Sequence, residues 1–296
     1  MPRRTFGFGG AVFFKYSYQG TMEILSAKDI GTFQKTIWKY YREHGRDLPW
    51  RRTVDPYRIL VSEFMLQQTQ VERVIPKYRA FVKEFPNFAA LDRAPLAGVL
   101  KAWQGLGYNR RALMLKKLAA MVITDYQGKL PTDPRLLNDL PGIGPGTAGA
   151  LCAFVFGIPV PFIETNIRRA YLHHFFPKKK NVLDANVLDL VEETLDAKNP
   201  REWYYALMDY GAMLGRKEKE NPNRRSRHYA KQSRFKGSDR QVRGQILRLL
   251  LARKNLSLKN ILKELEQPEI RIVAILAGLE REGFIKKVRN LYGVLT

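Results

Sequence analysis

Residues 139–169 constrain this chain more than any other stretch. They begin Asp-Leu-Pro-Gly-Ile-Gly-Pro-Gly-Thr-Ala-Gly-Ala, pass through the apolar run Leu151–Val160, and end Pro-Phe-Ile-Glu-Thr-Asn-Ile-Arg-Arg. The first half reads as a helix end, a tight turn and a new helix start. Gly142 and Gly144 would allow backbone angles that a Cβ forbids. A helix starting near Thr147 would aim unbonded N–H groups and its positive dipole end outward. That is a seat for one phosphate of a nucleic-acid strand, with Gly142, Gly144, Gly146 and Thr147 as the expected contacts. A lone carboxylate, Glu164, follows the apolar run. A phosphate holder followed by an acid suggests a protein that grips DNA and works on one nucleotide.

Charge points the same way. The 296 residues carry 51 Lys+Arg against 28 Asp+Glu, a net charge of +23. The excess is +10 over residues 1–215 and +13 over the remaining 81. A polyanionic partner, here double-stranded DNA, is the natural reading; a general aid to solubility is the bland one. The single cysteine, Cys152, excludes a disulfide framework and a cysteine-held cluster. The adjacent His173 and His174 would point to different helix faces, so no shared metal is expected. No stretch approaches the roughly 20 apolar residues of a membrane span. Residues 1–21 lack the apolar core and cleavage site of a signal peptide, and Met22 is a candidate start. A cytoplasmic monomer is expected, nucleoid-associated if bacterial.

Apolar spacing predicts helices over 27–44, from Pro56 to about Gln67, over 71–85, from Pro95, over 109–126, from Pro134, and over 166–176, 185–195 and 200–214. No alternating strand pattern of any length appears before residue 215. The body, 22–215, is therefore all-α. Residues 216–237 lose apolar content and read as a solvated basic connection, either a plain linker or a loop that hugs a DNA strand. Residues 238–296 predict three helices, over 240–252, 257–265 and 269–282, followed by an alternating run that turns at Asn290. That makes a small winged-helix unit. Its third helix carries only Arg271 and Arg281 as cations, so it is not an obvious major-groove reader.

Four ordered motifs carry a resemblance. Leu48-Pro-Trp-Arg, Val61-Ser-Glu-Phe-Met-Leu-Gln-Gln-Thr-Gln-Val, Trp103-Gln-Gly-Leu-Gly-Tyr and Leu140-Pro-Gly-Ile-Gly-Pro-Gly-Thr-Ala-Gly resemble adenine DNA glycosylases. These belong to the helix–hairpin–helix glycosylase superfamily, which also holds endonuclease III. The resemblance runs from about Ala27 to Met213. It implies a core of two helical lobes, a six-helix lobe over about 50–160 and a second from 22–49 and 165–215. Residues 1–21 are then an extension.

Cutting a base from its sugar needs a protonated leaving group and a stabilised oxocarbenium-like sugar. Glu63 lies in an apolar helix segment, where burial would raise its pKa, and the resemblance makes it the general acid. Glu164 stands where the family has its catalytic aspartate, two residues before the matching Asn166, and its extra methylene tests the geometry. Gly146 stands where lyase-competent relatives carry a lysine, so base release without strand cleavage is expected. Gln68, Thr69, Leu106 and Tyr108 match residues that enter the duplex around the orphaned base. Arg46, Leu48, Trp50 and Arg51 match the base-pocket side. Family members usually hold an iron–sulfur cluster just after the segment matched by Met208–Gly215; here no cofactor is expected. The expected function is excision of adenine opposite 8-oxoguanine or guanine in base excision repair. The alternatives are excision of uracil or thymine opposite guanine or of hypoxanthine, and a catalytically weak DNA-binding or regulatory protein.

Overall fold

Side-chain caps set many of the helix starts in the computed structural model, which describes residues 14–16, 22–218 and 220–295. An antiparallel pair, β1 (Phe14–Tyr16) and β2 (Met22–Ile24), precedes the first helix. Three-residue strands are too short to write an alternating pattern, which is why the body reads as purely helical from sequence. The remainder of the expected extension 1–21 lies outside the described residues. The first helix, α1 (Ala27–His44), opens on a capping box: Ser26 Oγ accepts from Asp29 N at 3.1 Å, and the Asp29 carboxylate accepts from Ser26 N.

After a 3-10 turn at Pro49–Arg52 come α2 (Pro56–Leu66), α3 (Val71–Glu84), α4 (Phe88–Arg93), α5 (Leu96–Trp103), α6 (Arg110–Asp125) and α7 (Pro134–Asn138). Asp55, Asn87 and Asp133 cap α2, α4 and α7 with their side-chain oxygens. Periodicity does not reveal α4, whose six residues make under two turns. Next are α8 (Pro145–Phe156), α9 (Thr165–Phe175), α10 (Asp184–Thr194) and α11 (Pro200–Lys217). The last third holds α12 (Asp239–Arg253), β3 (Leu256–Ser257), α13 (Leu258–Leu265), α14 (Glu269–Arg281), β4 (Ile285–Val288) and β5 (Leu291–Val294). The sheet is antiparallel in the order β3-β5-β4. Arg289 and Asn290 both take positive φ, 47° and 64°, as a two-residue hairpin turn requires.

The described residues form two compact units, those up to 47 with 152–231, and 48–151 with those from 232 onward. The boundary falls inside α8. In the first unit, α9 and α11 pack most extensively, and Phe33 of α1 sits among the rings of Tyr171, Phe175 and Trp203. The core of the second unit includes Phe64, Phe81, Trp103 and Leu115, and in its C-terminal part Ile246, Leu276 and Phe284. In this second unit, α12 lies against α5, so the C-terminal segment clusters with residues 48–151. Among the described residues no helix is long and apolar enough to cross a membrane.

Candidate active site

Glu164 is the N-cap of α9. Its backbone is extended (φ −130°, ψ 177°), so the side chain can fold back over the first turn. Oε1 accepts from the backbone N–H groups of Asn166 at 2.7 Å and Ile167 at 2.8 Å, and Oε2 accepts from Asn166 Nδ2 at 3.3 Å. The glutamate therefore reaches the two amides that a shorter cap would bond, despite its extra methylene. Burial pushes its carboxyl above the ordinary glutamate range. The two amide donors, and behind them the Arg169 and Arg168 charges, pull the other way.

A second layer fixes this cap. Arg169 donates from Nη1 to Asn166 Oδ1 at 2.8 Å and to the Gly211 carbonyl at 2.7 Å, and from Nε to Asn221 Oδ1 at 3.1 Å. Gly211 and Gly215 form the α11 face opposite. A Cβ on Gly211 would overlap the Asn166 carbonyl, and one on Gly215 would sit 2.6 Å from Arg169 Nη1. Arg168 turns elsewhere, into a two-pronged ion pair with Asp184 at 2.6 and 2.7 Å. Sequence reasoning does not find Arg169, Gly211 or Gly215. The available signal is a pair of glycines four apart inside a helix, where neither turns the chain.

The expected solvated connection 216–237 is partly built. Pro222, Asn223 and Ser226 are buried. Asn223 Nδ2 donates to the Thr165 carbonyl at 3.0 Å, and Arg225 Nη1 donates to the Leu172 carbonyl at 3.0 Å. Val182 exchanges backbone bonds with Arg225 and Arg227, both at 2.9 Å. Low apolar content hides this order because hydrogen bonds of polar side chains and backbone, more than apolar packing, hold the segment.

In the second unit Glu63 lies half-buried on the last turns of α2, between buried Ser62 and Phe64. The chain then turns at Gln68, which is exposed and takes φ 54°. A second turn, at 104–108, carries positive φ at Gly105, Gly107 and Tyr108. One buried arginine joins the two turns. Arg111 Nη1 donates to the carbonyls of Phe64 (2.8 Å), Met65 (2.9 Å) and Gln67 (2.5 Å). Its Nη2 donates to Thr69 Oγ1 (3.1 Å) and to the carbonyls of Leu106 (3.2 Å) and Gly107 (3.0 Å). Burial lowers its pKa to about 10, still charged at neutral pH. Sequence reasoning also passes over Arg111, because nothing in a helical pattern distinguishes it from a solvated arginine.

Leu106, expected among the residues that enter the duplex, is 3% exposed and packs inward here. The flexed glycines on either side turn its side chain into the core and leave Gln68 as the exposed tip. Of the hairpin glycines, Gly142 needs its freedom: φ is 81°, and a Cβ would meet Phe64 at 2.8 Å and Met114 at 2.9 Å. Gly144 has open space and no positive φ. The helix after the turn starts at Pro145, two residues before Thr147. The N–H groups of Gly146 and Thr147 lie ahead of the first i→i−4 bond, from Ala148 N to the Gly144 carbonyl at 2.9 Å.

The four residues expected on the base-pocket side divide. Arg46 binds buried Asp209, Nε to Oδ1 at 2.6 Å and backbone N to Oδ2 at 2.8 Å. Leu48 and Trp50 are buried, with Trp50 edge-on to Tyr78 at 5.4 Å, and Arg51 is half-buried in the 3-10 turn. Trp50 thus serves packing in the second unit. A cysteine-ligated cluster does not fit these residues: Cys152, the single cysteine, is buried in α8. Among the described residues no group of three His, Cys, Asp or Glu side chains could hold a metal.

Residues 61–193 match the HhH-GPD superfamily of base excision DNA repair proteins. The adenine DNA glycosylase of Mycolicibacterium smegmatis is 36% identical over 230 residues, 72% of this chain and 78% of that protein. The adenine DNA glycosylase of Buchnera aphidicola subsp. Baizongia pistaciae is 36% identical over 187 residues, 62% of this chain and 52% of that longer protein. A solved thermostable thymine-DNA glycosylase superposes with a TM-score of 0.58 at 28% identity, covering 66% of this chain and 91% of that one. The helix–turn–helix at Pro134–Phe156, the turns after α2 and before α6 and these relatives together place the chain in the HhH-GPD superfamily of base excision DNA repair proteins, among its adenine DNA glycosylase-like members.

Proposed function

We propose that this protein is a monofunctional DNA glycosylase that extrudes and excises adenine mispaired with 8-oxoguanine or guanine. The observation that carries the reading is the Glu164 cap: one carboxylate fixed at the start of α9, in a half-buried position, by two backbone amides and Asn166. Such a group can balance the positive sugar that forms as the base departs. The amides and the two arginines favour the ionised form that this role needs, against the burial that opposes it. Glu63 is the proton donor to a ring nitrogen of the extruded adenine. Asn166 orients the carboxylate and is itself held by Arg169.

Gln68, Thr69 and Tyr108 are assigned to the space left in the duplex, and the amides of Gly146 and Thr147 to a backbone phosphate. Gly146 brings no amine to attack the sugar, so the strand is left uncut. The protein works without an iron–sulfur cluster. Removal of thymine or uracil opposite guanine is the second reading, favoured by the 91% coverage of the thymine-DNA glycosylase structure.

The test is single-turnover base release from duplexes carrying adenine opposite 8-oxoguanine, adenine opposite guanine, uracil or thymine opposite guanine, and hypoxanthine. Fastest release from the two adenine duplexes is expected, with no strand break before alkaline treatment. Preference for thymine or uracil selects the second reading. Release from none of the duplexes rejects the enzyme.

A further inference from the structure

The segment Gln232–Lys236 presents an exposed aromatic between two cations, Arg234-Phe235-Lys236, on a backbone that is pinned at both ends. At its start, the Gln232 side-chain amide and Arg240 Nη1 both donate to the Tyr108 hydroxyl. The Arg240 guanidinium also lies over the Tyr108 ring, 5.3 Å from its centroid. The same arginine donates from Nη2 to the Ser233 carbonyl at 2.6 Å. At the other end, Ser238 Oγ donates to the Phe235 carbonyl at 2.6 Å, and Arg271 Nη2 donates to the Gly237 carbonyl at 2.7 Å. Yet Phe235 is 61% exposed, with exposed Arg234 and Lys236 on either side.

A singly exposed apolar residue is ordinary by itself. Here its backbone is hydrogen-bonded on both sides, cations flank it, and it is tied to the turn that the proposed function places in the duplex. An aromatic face between cations is the surface on which a base stacks while its neighbouring phosphates are neutralised. A protein partner would be met by a broader apolar patch than one ring.

We propose that Arg234, Phe235 and Lys236 form a second DNA-contact element, which engages the strand opposite the extruded base through stacking and phosphate contacts. This rests on the glycosylase reading, because that reading puts Tyr108 at the orphaned base. Tyr108 then has two tasks: it faces the duplex, and its hydroxyl anchors the segment. The C-terminal part of the second unit acts through that anchor.

The full chain is titrated with a duplex carrying a tetrahydrofuran abasic analogue opposite 8-oxoguanine, which cannot be processed. Phe235→Ala is expected to weaken binding about tenfold to a hundredfold, with its salt dependence kept and its thermal midpoint unchanged. Phe235→Trp should bind as wild type. Replacing Arg234 and Lys236 by alanine should lower the slope of log K against log salt by about 1.8. Neutral methylphosphonate linkages in the 8-oxoguanine strand should abolish that difference in slope, whereas the same linkages in the tetrahydrofuran strand should not. Wild-type affinity and slope in both variants would overturn the element while leaving base excision intact. A wild-type chain that binds no duplex would overturn the glycosylase reading together with it. Loss of the slope difference only with linkages in the tetrahydrofuran strand would overturn the strand assignment.

Discussion

The start of α9 and the paired turns before α3 and α6 are each held by one arginine, in opposite ways. In the first unit Arg169 holds two side chains, Asn221 and Asn166, the second of which meets the Glu164 carboxylate, along with one carbonyl, that of Gly211. In the second unit Arg111 bonds six main-chain carbonyls at 2.5–3.4 Å and the Thr69 hydroxyl. An arginine on carbonyls sets the path of the chain and leaves the residues displayed on it free to change. An arginine on a side-chain amide specifies which residue stands there. The cap at the start of α9 is thus intolerant of substitution, while the two turns joined by Arg111 can alter their tips without losing their shape.

The largest test of that contrast is Glu164→Gln. Glutamine keeps a cap acceptor and loses the charge, so base release should fall roughly 10²–10³-fold. Stability should not fall. Burial raises the folded-state pKa above its unfolded value, so the protonated form is favoured: that stability is complete below the unfolded pKa and is lost as pH rises through the folded one. At neutral pH the neutral amide should therefore match or exceed the wild-type thermal midpoint. Undiminished release would remove Glu164 from the mechanism. By the same shift, wild-type base release should fall off on the acid side at a pH above the ordinary glutamate range, measurable as a single-turnover profile.

Arg111→Met comes next. It strands several carbonyls that now share one charged donor, and should cost about 3 kcal/mol in urea unfolding. A cost below about 1 kcal/mol would show that the turns hold their own shape, and the contrast would fail. Gly211→Ala forces a methyl group against the Asn166 carbonyl. A loss of about 1–3 kcal/mol is expected, with base release reduced even at temperatures where the variant is fully folded. Equal release per folded molecule would mean that the position of Asn166 does not matter. The smallest effect belongs to Asn221→Ala, which removes the Arg169 Nε partner and the side-chain bond to Asn223 N at 3.1 Å. About 1 kcal/mol should be lost, with a smaller drop in release than for Gly211→Ala.

What the sequence by itself determines is local. Ser26, Asp55, Asn87, Asp133, Ser238 and Ser257 each cap the helix that follows, because a cap and its amide lie within three residues of one another. The positive-φ turn at Gly142 and the hairpin at Asn290 are likewise short-range. The ordered motifs lead to the superfamily and to Glu63, Glu164 and Asn166. The tertiary structure decides what depends on distant partners. Leu106 turns inward because Arg111, Thr69 and the core set the path of its turn. Residues 221–228 order because their acceptors stand on α9, as in the bond from Asn223 to Thr165 across 58 positions. Gly211 and Gly215 matter because Arg169, more than 40 positions earlier in the chain, needs the room, as its bond to the Gly211 carbonyl across 42 positions shows. A pattern read along one chain records spacing and polarity, and neither encodes which distant carbonyl an arginine will meet once the helices have packed.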